Sequence, residues 1–419
     1  MWRFAYTFAL RVAAPLILLR LWWRGAREPG YRRRIGERFG YYRAPASTPP
    51  PLIWVHAVSV GEARASAALV RALAAANPDH VLLVTSMTAA GREAVTELHG
   101  ESVLSAWLPY DYPGAARRFL EHFRPRLALL VETELWPNLL AACESYGVPV
   151  LLANARMSEK SARGYVRWAG LARPAIASLS LVCAQSGEDA GRLRALGARR
   201  VEVAGNLKFD SAPDDVKRAE GREWRARLAR PVLLLASTRE GEEKMLLNCL
   251  PAWDGELLVV VVPRHPRRFD EVAPLSQSRR SGSSLPALQD RVHLGDTMGE
   301  MDFYYAAADV AVIGGSSLPR GGQNLIEACA AGVPAVCGPS MFNFAEATRL
   351  ALAAGAALQA ADAAGAVREA LRLMLNADER KRMGAAGIAL CEAHRGATRR
   401  HLDYCAELLA AGATAPARD

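Results

Sequence analysis

Glu62 sits where a general base would be useful. In the stretch LIWVHAVSVGE, from Leu52 to Glu62, an apolar run passes into a small glycine-bearing turn, and the carboxylate arrives as the next helix begins. Leu52, Ile53, Trp54 and Val55 suit a buried parallel strand, which puts Glu62 at the carboxyl edge of a sheet, where open α/β folds bind ligands. A carboxylate there can take a proton from a substrate hydroxyl. The same position also suits a charge that answers the helix dipole.

Other residues repeat this pattern of chemistry at strand ends. In Glu132-Thr133-Glu134-Leu135-Trp136-Pro137-Asn138 two acids follow an apolar run, and one could orient an acceptor hydroxyl or a cation, or simply open a helix. Lys208, in GNLKFD, could reach a negative leaving group or a carboxylate, or be a solvated loop lysine. Pro263-Arg264-His265-Pro266 places a phosphate-pairing guanidinium and an imidazole at another strand end. Asp296-Thr297-Met298-Gly299-Glu300 could frame a base or ribose, or begin a helix. Gly314, Gly315, Gly321 and Gly322 precede Gln323, Asn324 and the helix-like LIEACAAG. Its first amides could receive a phosphate and Glu327 a ribose, the outline of a nucleotide-sugar site. A tight turn with a capping charge is the plainer account.

Alternating strands and helices must carry these groups. Strand-like runs fall at 52–57, 81–86, 127–132, 148–154, 179–185 and 201–206, and a second series at 231–238, 257–263, 292–295, 310–315 and 333–339. That order predicts an α/β chain of two Rossmann-like domains, each a parallel sheet wound on both faces. The expected boundaries are 44–209 for the first domain, a linker at 210–230 broken by DSAPDD, a second domain at 231–410 and a disordered tail at 411–419. The polar run Ser278–Ser284 reads as a mobile loop and the Ala-rich Ala351–Ala364 as helix filler. Neither half has G-x-G-x-x-G after its first strand, and G-x-x-x-x-G-K-[ST] is absent, which removes support for dinucleotide redox enzymes and P-loop ATPases.

Seven scattered cysteines without CxxC, and eight histidines without HExxH or HxH, point to a reducing compartment, no disulfide framework and no catalytic metal. The net charge of +9 and the pI near 9.4 call for an acidic partner. Its location tells which. Residues 1–43 read as a membrane anchor, Phe4 to Trp23 being almost wholly apolar, followed by Arg24, Arg27, Arg32, Arg33, Arg34, Arg38 and Arg43. Arg11, Arg20 and Pro15 interrupt the apolar run, and a central arginine costs roughly 2.5–3.5 kcal/mol to insert, so spanning and lying at the interface both stay open. Each arginine near an anionic leaflet contributes about 1 kcal/mol, and the positive-inside bias places the body in the cytoplasm. No RNA-recognition signature accompanies the arginines, so nucleic acid is not expected as a partner.

Taken together, YRRRIGERFG, HAVSVGE, ETELWPN, NARMSEKS, GNLKFD, VPRHPRRF, GDTMGE, GGQNLIEA and GPSMFNFAEA resemble the Kdo transferases of glycosyltransferase family 30 along nearly the whole chain. That resemblance implies a metal-independent GT-B enzyme without cofactor, two Rossmann-like domains facing a central cleft, at the cytoplasmic face of a bacterial inner membrane. It would move 3-deoxy-D-manno-octulosonic acid (Kdo) from CMP-Kdo to a lipid A precursor, lipid IVA, in lipopolysaccharide synthesis, the acceptor held by the N-terminal half and the donor mostly by the C-terminal half. By similarity Glu62 is the base, Glu132 and Lys208 stabilise the transition state, and Arg264, His265, Met298, Gly299, Glu300 and Asn324, Leu325, Ile326, Glu327 line the CMP site. Gln323 stands where relatives often have histidine, and Leu325 where many have proline.

The mechanism so implied is direct displacement with inversion: Glu62 takes a proton from an acceptor hydroxyl, that oxygen attacks the anomeric carbon, and CMP departs. A phosphate leaving group asks for charge stabilisation rather than a strong acid, which donor-loop amides, Arg264 and Lys208 could supply. Two other readings fit parts of the pattern. One is a membrane-associated GT-B transferase using a UDP-sugar and a lipid-linked acceptor; the other is a tethered binding protein that holds nucleotide without transfer.

Overall fold

The computed structural model describes residues 1–43, 50–210, 213–251, 256–282 and 285–414. The chain forms two compact units, Met1–Ser211 with Arg395–Asp419, and Ala212–His394.

The sheet of the first unit contains β1 (Leu52–His56), β2 (Val81–Ser86), β3 (Leu104–Trp107), β4 (Pro125–Val131), β5 (Val150–Ala155), β6 (Leu181–Ala184) and β7 (Val201–Val203). All pair in parallel, in the order β3-β2-β1-β4-β5-β6-β7. Because side chains alternate along a strand, Leu52 and Trp54 enter one face with Phe119 and Leu130, while Ile53 and Val55 enter the other with Leu69 and Leu129. Burial on both faces is why β1 reads as an unbroken apolar run. The winding direction reverses between β1 and β4, so the chain leaves their carboxyl ends in opposite directions and opens a crevice there.

The second unit repeats the plan with β8 (Val232–Thr238), β9 (Leu258–Pro263), β10 (Ser278–Arg279), β11 (Val292–Leu294), β12 (Val310–Ile313), β13 (Ala335–Cys337) and β14 (Ala357–Gln359). The order is β10-β11-β9-β8-β12-β13-β14, again parallel, with the reversal between β8 and β12.

Several expectations need correction. β3, β10 and β14 are short edge strands, and edges carry weak apolar patterns because one side of the strand has no partner. β10 lies in the supposed loop 278–284, of which residues 283–284 fall outside the described residues, and β14 lies in the supposed helix filler. The stretch 210–230 contains a helix, Asp215–Leu228, whose start is capped by Asp214 Oδ1 accepting the Lys217 N–H at 3.1 Å. It packs so closely on Met301–Ala307 that a Cβ on Gly221 would meet the Phe303 carbonyl oxygen at 2.3 Å. The chain also leaves the second unit early: the helix Ala397–Thr414 adds Ala397 and Cys405 to the Ile53 face of the first unit's core. Residues 411–414 thus continue a helix, and 415–419 lie outside the described residues.

At the other terminus, Trp2–Arg27 forms one helix, long and apolar enough to cross a membrane. Arg38 does not belong with the surface arginines. It is buried, with its guanidinium 3.9 Å from the centre of the Trp107 ring.

Candidate active site

At the carboxyl edge of the first sheet, β1 ends at His56 and Ser59 precedes the helix Val60–Ala76. Glu62, three residues on, folds back: Oε2 accepts the Val58 N–H at 2.7 Å and Oε1 accepts the Ser59 hydroxyl at 3.0 Å. The carboxylate thus braces the turn that leads into its helix and caps none of the helix's first amides. Bracing does not exhaust its chemistry. Burial pushes the Glu62 carboxyl up to about 7; the Val58 and Ser59 donors pull it back, and the nearby Glu132 and Glu134 charges push it further. A carboxyl poised near neutrality can both take and release a proton.

Glu132 follows the last residue of β4, on the other side of the reversal point, with φ at 61°. Its N–H donates to the Ala153 carbonyl at 2.9 Å, which holds this left-handed backbone in place, and its Oε1 lies 3.0 Å from Lys208 Nζ. Lys208 comes from the turn Leu207–Asp210 after β7. Burial first, and then Glu132, raise the Glu134 carboxyl above the usual range. Three acids and one lysine from three segments of the chain thus share this edge.

Sequence reasoning passed over Asn154. Fully buried at φ 52°, it sits at an irregularity in β5, and its Oδ1 accepts the Leu207 N–H at 3.0 Å. An asparagine among strand residues was the available signal, since asparagine tolerates the left-handed region.

In the second unit the residues cluster around the β8–β12 reversal. Glu242 is fully buried and accepts three backbone N–H groups: Gly315 at 2.5 Å, Ser317 at 3.0 Å and Arg239 at 3.1 Å. It ties the loop after β8 to the loop after β12. Gly314 fits there because a Cβ would meet the Ser237 carbonyl oxygen at 2.5 Å. Glu243, also buried, receives Arg268 Nη1 at 2.5 Å, Arg268 Nη2 at 2.9 Å and the Thr238 hydroxyl at 2.5 Å. That pair anchors the turn carrying Arg264 and His265. The Arg239 Nη1 donor lies 3.2 Å from His265 Nε2; burial, then Arg239 and Arg264, lower the His265 pKa, so the ring stays neutral and accepts.

Glu327 accepts the Asn324 side-chain amide at 3.0 Å, and Asn324 Oδ1 in turn accepts the Ile326 N–H at 3.2 Å. Burial raises the Tyr305 hydroxyl pKa, the Glu327 charge raises it further and Arg264 lowers it. Two expectations change here. Leu325 and Ile326 point into the core, so any ligand contact of theirs is by backbone, and the Ile326 amide already has a partner. The helix they open is short, Ile326–Ala330.

Met298, Gly299 and Glu300 follow β11, away from the reversal point. Met298 is exposed, Gly299 at φ 74° gives its carbonyl to Lys217 Nζ at 2.9 Å, and Glu300 takes Arg280 Nε and Nη2, both at 3.2 Å. Burial would raise the Glu300 carboxyl, but the Arg280 and Thr297 hydrogen bonds hold it below the usual range. Among the described residues no three His, Cys, Asp or Glu side chains gather as they would around a metal ion.

Residues 33–211 match the family described as 3-deoxy-D-manno-octulosonic-acid transferase (kdotransferase). A 3-deoxy-D-manno-octulosonic acid transferase of Bordetella pertussis is 48% identical, the alignment covering 96% of this chain and 98% of that one. The Haemophilus influenzae protein of the same name is 36% identical, with coverage of 96% and 98%. Among solved structures, Anabaena HepE in complex with UDP superimposes with a TM-score of 0.60 at 13% identity, covering 86% of this chain and all (100%) of that one. A glycosyltransferase from Rickettsia africae gives 0.59 at 14% identity, covering 87% and 99%. At such identities these two structures speak for the fold, which is GT-B.

Proposed function

The chain belongs to the Kdo transferase family, a glycosyltransferase of lipopolysaccharide synthesis, and from that premise we propose that it moves Kdo from CMP-Kdo to a hydroxyl of a lipid A precursor, with Glu62 as general base. The observation that carries the assignment is the Glu62 carboxyl, pushed up to about 7 at the reversal point of the first sheet beside Glu132 and Glu134. An ordinary glutamate is a weak base at neutral pH; this one is matched to the task.

In the proposed reaction the ionised Glu62 takes the acceptor hydroxyl proton as that oxygen forms a bond to the anomeric carbon of Kdo. The bond from that carbon to the phosphate oxygen breaks, and CMP leaves with the electron pair and an added negative charge. Attack opposite the leaving group inverts the centre. Lys208, steadied by Glu132, offsets negative charge on the Kdo carboxylate or the phosphate, and Arg264 offsets charge on the nucleotide. Glu327 receives the ribose hydroxyls, oriented by Asn324. His265, kept neutral, orients Arg239, and Met298 to Glu300 frame the base through their backbone. No metal or cofactor enters this scheme.

The acceptor is a lipid, and the first helix suits the anionic, cytoplasmic face of the inner membrane. It is better placed to lie along that surface than to cross it. One side is fastened to the first unit: Thr7 is buried and bonded to Asn138 at 3.2 and 3.0 Å, the Tyr112 hydroxyl donates to the Leu10 carbonyl at 2.9 Å, and Leu21 packs with Tyr31 and Trp107. The other side exposes Phe4, Phe8, Val12, Leu16, Leu19 and Trp23, bordered by exposed Arg11, Arg20 and Arg27. Spanning would tear the polar contacts from their partners.

The test is to incubate the purified protein with CMP-Kdo and a lipid A precursor and to weigh the lipid by mass spectrometry. Whole Kdo increments with release of CMP support the proposal. An unchanged lipid, or stabilisation by UDP rather than CMP in a thermal-shift comparison, contradicts it.

A further inference from the structure

We infer that the C-terminal helix Ala397–Thr414 is a positioning element for the Glu132–Lys208 pair, acting through His401 and Asn154. The inference rests on the proposed role of that pair in transfer. It concerns residues to which no role has been given above.

His401 lies in the first turns of this helix and is wholly buried. Its Nδ1–H donates to the Ala397 carbonyl at 2.7 Å, which leaves Nε2 as an acceptor, and Nε2 takes the Asn154 N–H at 3.0 Å. Burial, reinforced by Arg400, lowers the His401 pKa to about 4 against the Ala397 carbonyl, so the ring is neutral at ordinary pH. A charged ring could not accept that N–H.

Asn154 passes the constraint in two directions. One residue before it, the Ala153 carbonyl accepts the Glu132 N–H at 2.9 Å and sets the backbone from which that carboxylate extends. Its own Oδ1 accepts the Leu207 N–H at 3.0 Å, immediately before Lys208, and Gln185 Nε2 holds its carbonyl at 2.9 Å. The same helix grips the lysine-bearing segment at both ends. Arg400 Nε donates to the Ala204 carbonyl at 2.8 Å, and Asp210 accepts the Gly396 N–H at 2.7 Å and the Thr398 N–H as well. Glu132 and Lys208 arrive from segments 76 residues apart and meet at 3.0 Å. The returning helix is what fixes both approaches.

The experiment is steady-state kinetics on the full chain with CMP-Kdo and a lipid A precursor. His401→Leu should lower kcat at least about tenfold and leave the donor KM within about twofold, because a misplaced charge pair weakens the transition state more than donor binding. His401→Gln, whose amide oxygen can accept the Asn154 N–H, should recover most of the loss. Asn154→Gly keeps the left-handed backbone and the His401 bond but deletes the Leu207 acceptor, and should match His401→Leu; it decides the matter if His401→Leu does not fold. Wild-type kcat in these variants while Lys208→Met is impaired overturns the inference alone, as does an equal loss in the Leu and Gln variants. Wild-type kcat in Lys208→Met overturns the role of the pair and the inference with it.

Discussion

Glu243 and Arg268 form a doubly hydrogen-bonded ion pair, at 2.5 and 2.9 Å, with both side chains almost wholly removed from solvent. Breaking a buried pair strands a charge, so Glu243→Ala should destabilise the second unit by about 3–5 kcal/mol, softened by the remaining Arg268–Glu271 contact. Denaturant unfolding reads this directly. A loss below about 1 kcal/mol would mean that Arg268 finds another partner or water.

Glu327 tests the nucleotide site. Its acceptor contact is with Asn324 and its charge reaches Tyr305. Glu327→Ala should weaken CMP about tenfold, or about 1.4 kcal/mol, while thermal unfolding stays close to wild type. Unchanged CMP affinity by calorimetry would remove Glu327 from the site.

The raised Glu62 carboxyl makes two linked claims about pH. The base must be ionised, so kcat/KM should climb with pH and level off above about 7, and Glu132→Gln, which removes a neighbouring negative charge, should move the inflection to lower pH. Stability runs the other way. An unfolded glutamate titrates near about 4.3, so between there and about 7 the folded state holds the extra proton, and this contribution is lost as pH rises. Glu62→Gln, which cannot ionise, should therefore lose less stability than wild type between about pH 5 and about pH 8. Parallel stability profiles would show an ordinary carboxyl.

The first helix predicts where the membrane touches. Replacing Phe8 and Trp23 together by glutamate should weaken sedimentation with anionic vesicles roughly tenfold. A label at Met1 should stay accessible from the side that carries the body. Protection of that label from this side, or unchanged binding by the double variant, would contradict a helix lying flat.

Much of this architecture is legible in the amino-acid order because parallel strands buried on both faces are unbroken apolar runs, as in Leu52–His56 and Leu258–Pro263. Glu62, Glu132 and Arg264 stood out as candidates for a related reason: each follows such a run, and strand ends are where charge is useful. Lys208 had only its position after the short, half-exposed Val201–Val203 strand to recommend it. The return of Ala397–Thr414 to the first unit was hidden, since an amphipathic helix reveals that it has a core face but not which core it meets. Glu242, Asn154 and His401 were hidden as well. Their partners are backbone amides from distant segments, and hydrogen bonds across that distance leave no periodic trace.

The central claim is that Glu62 removes the proton in the transfer step. Single-turnover transfer from CMP-Kdo to a lipid A precursor by Glu62→Ala, with CMP affinity measured on the same preparation, tests it most directly. The account predicts a rate at least about 100-fold below wild type with CMP binding nearly unchanged. A near-normal rate would contradict it.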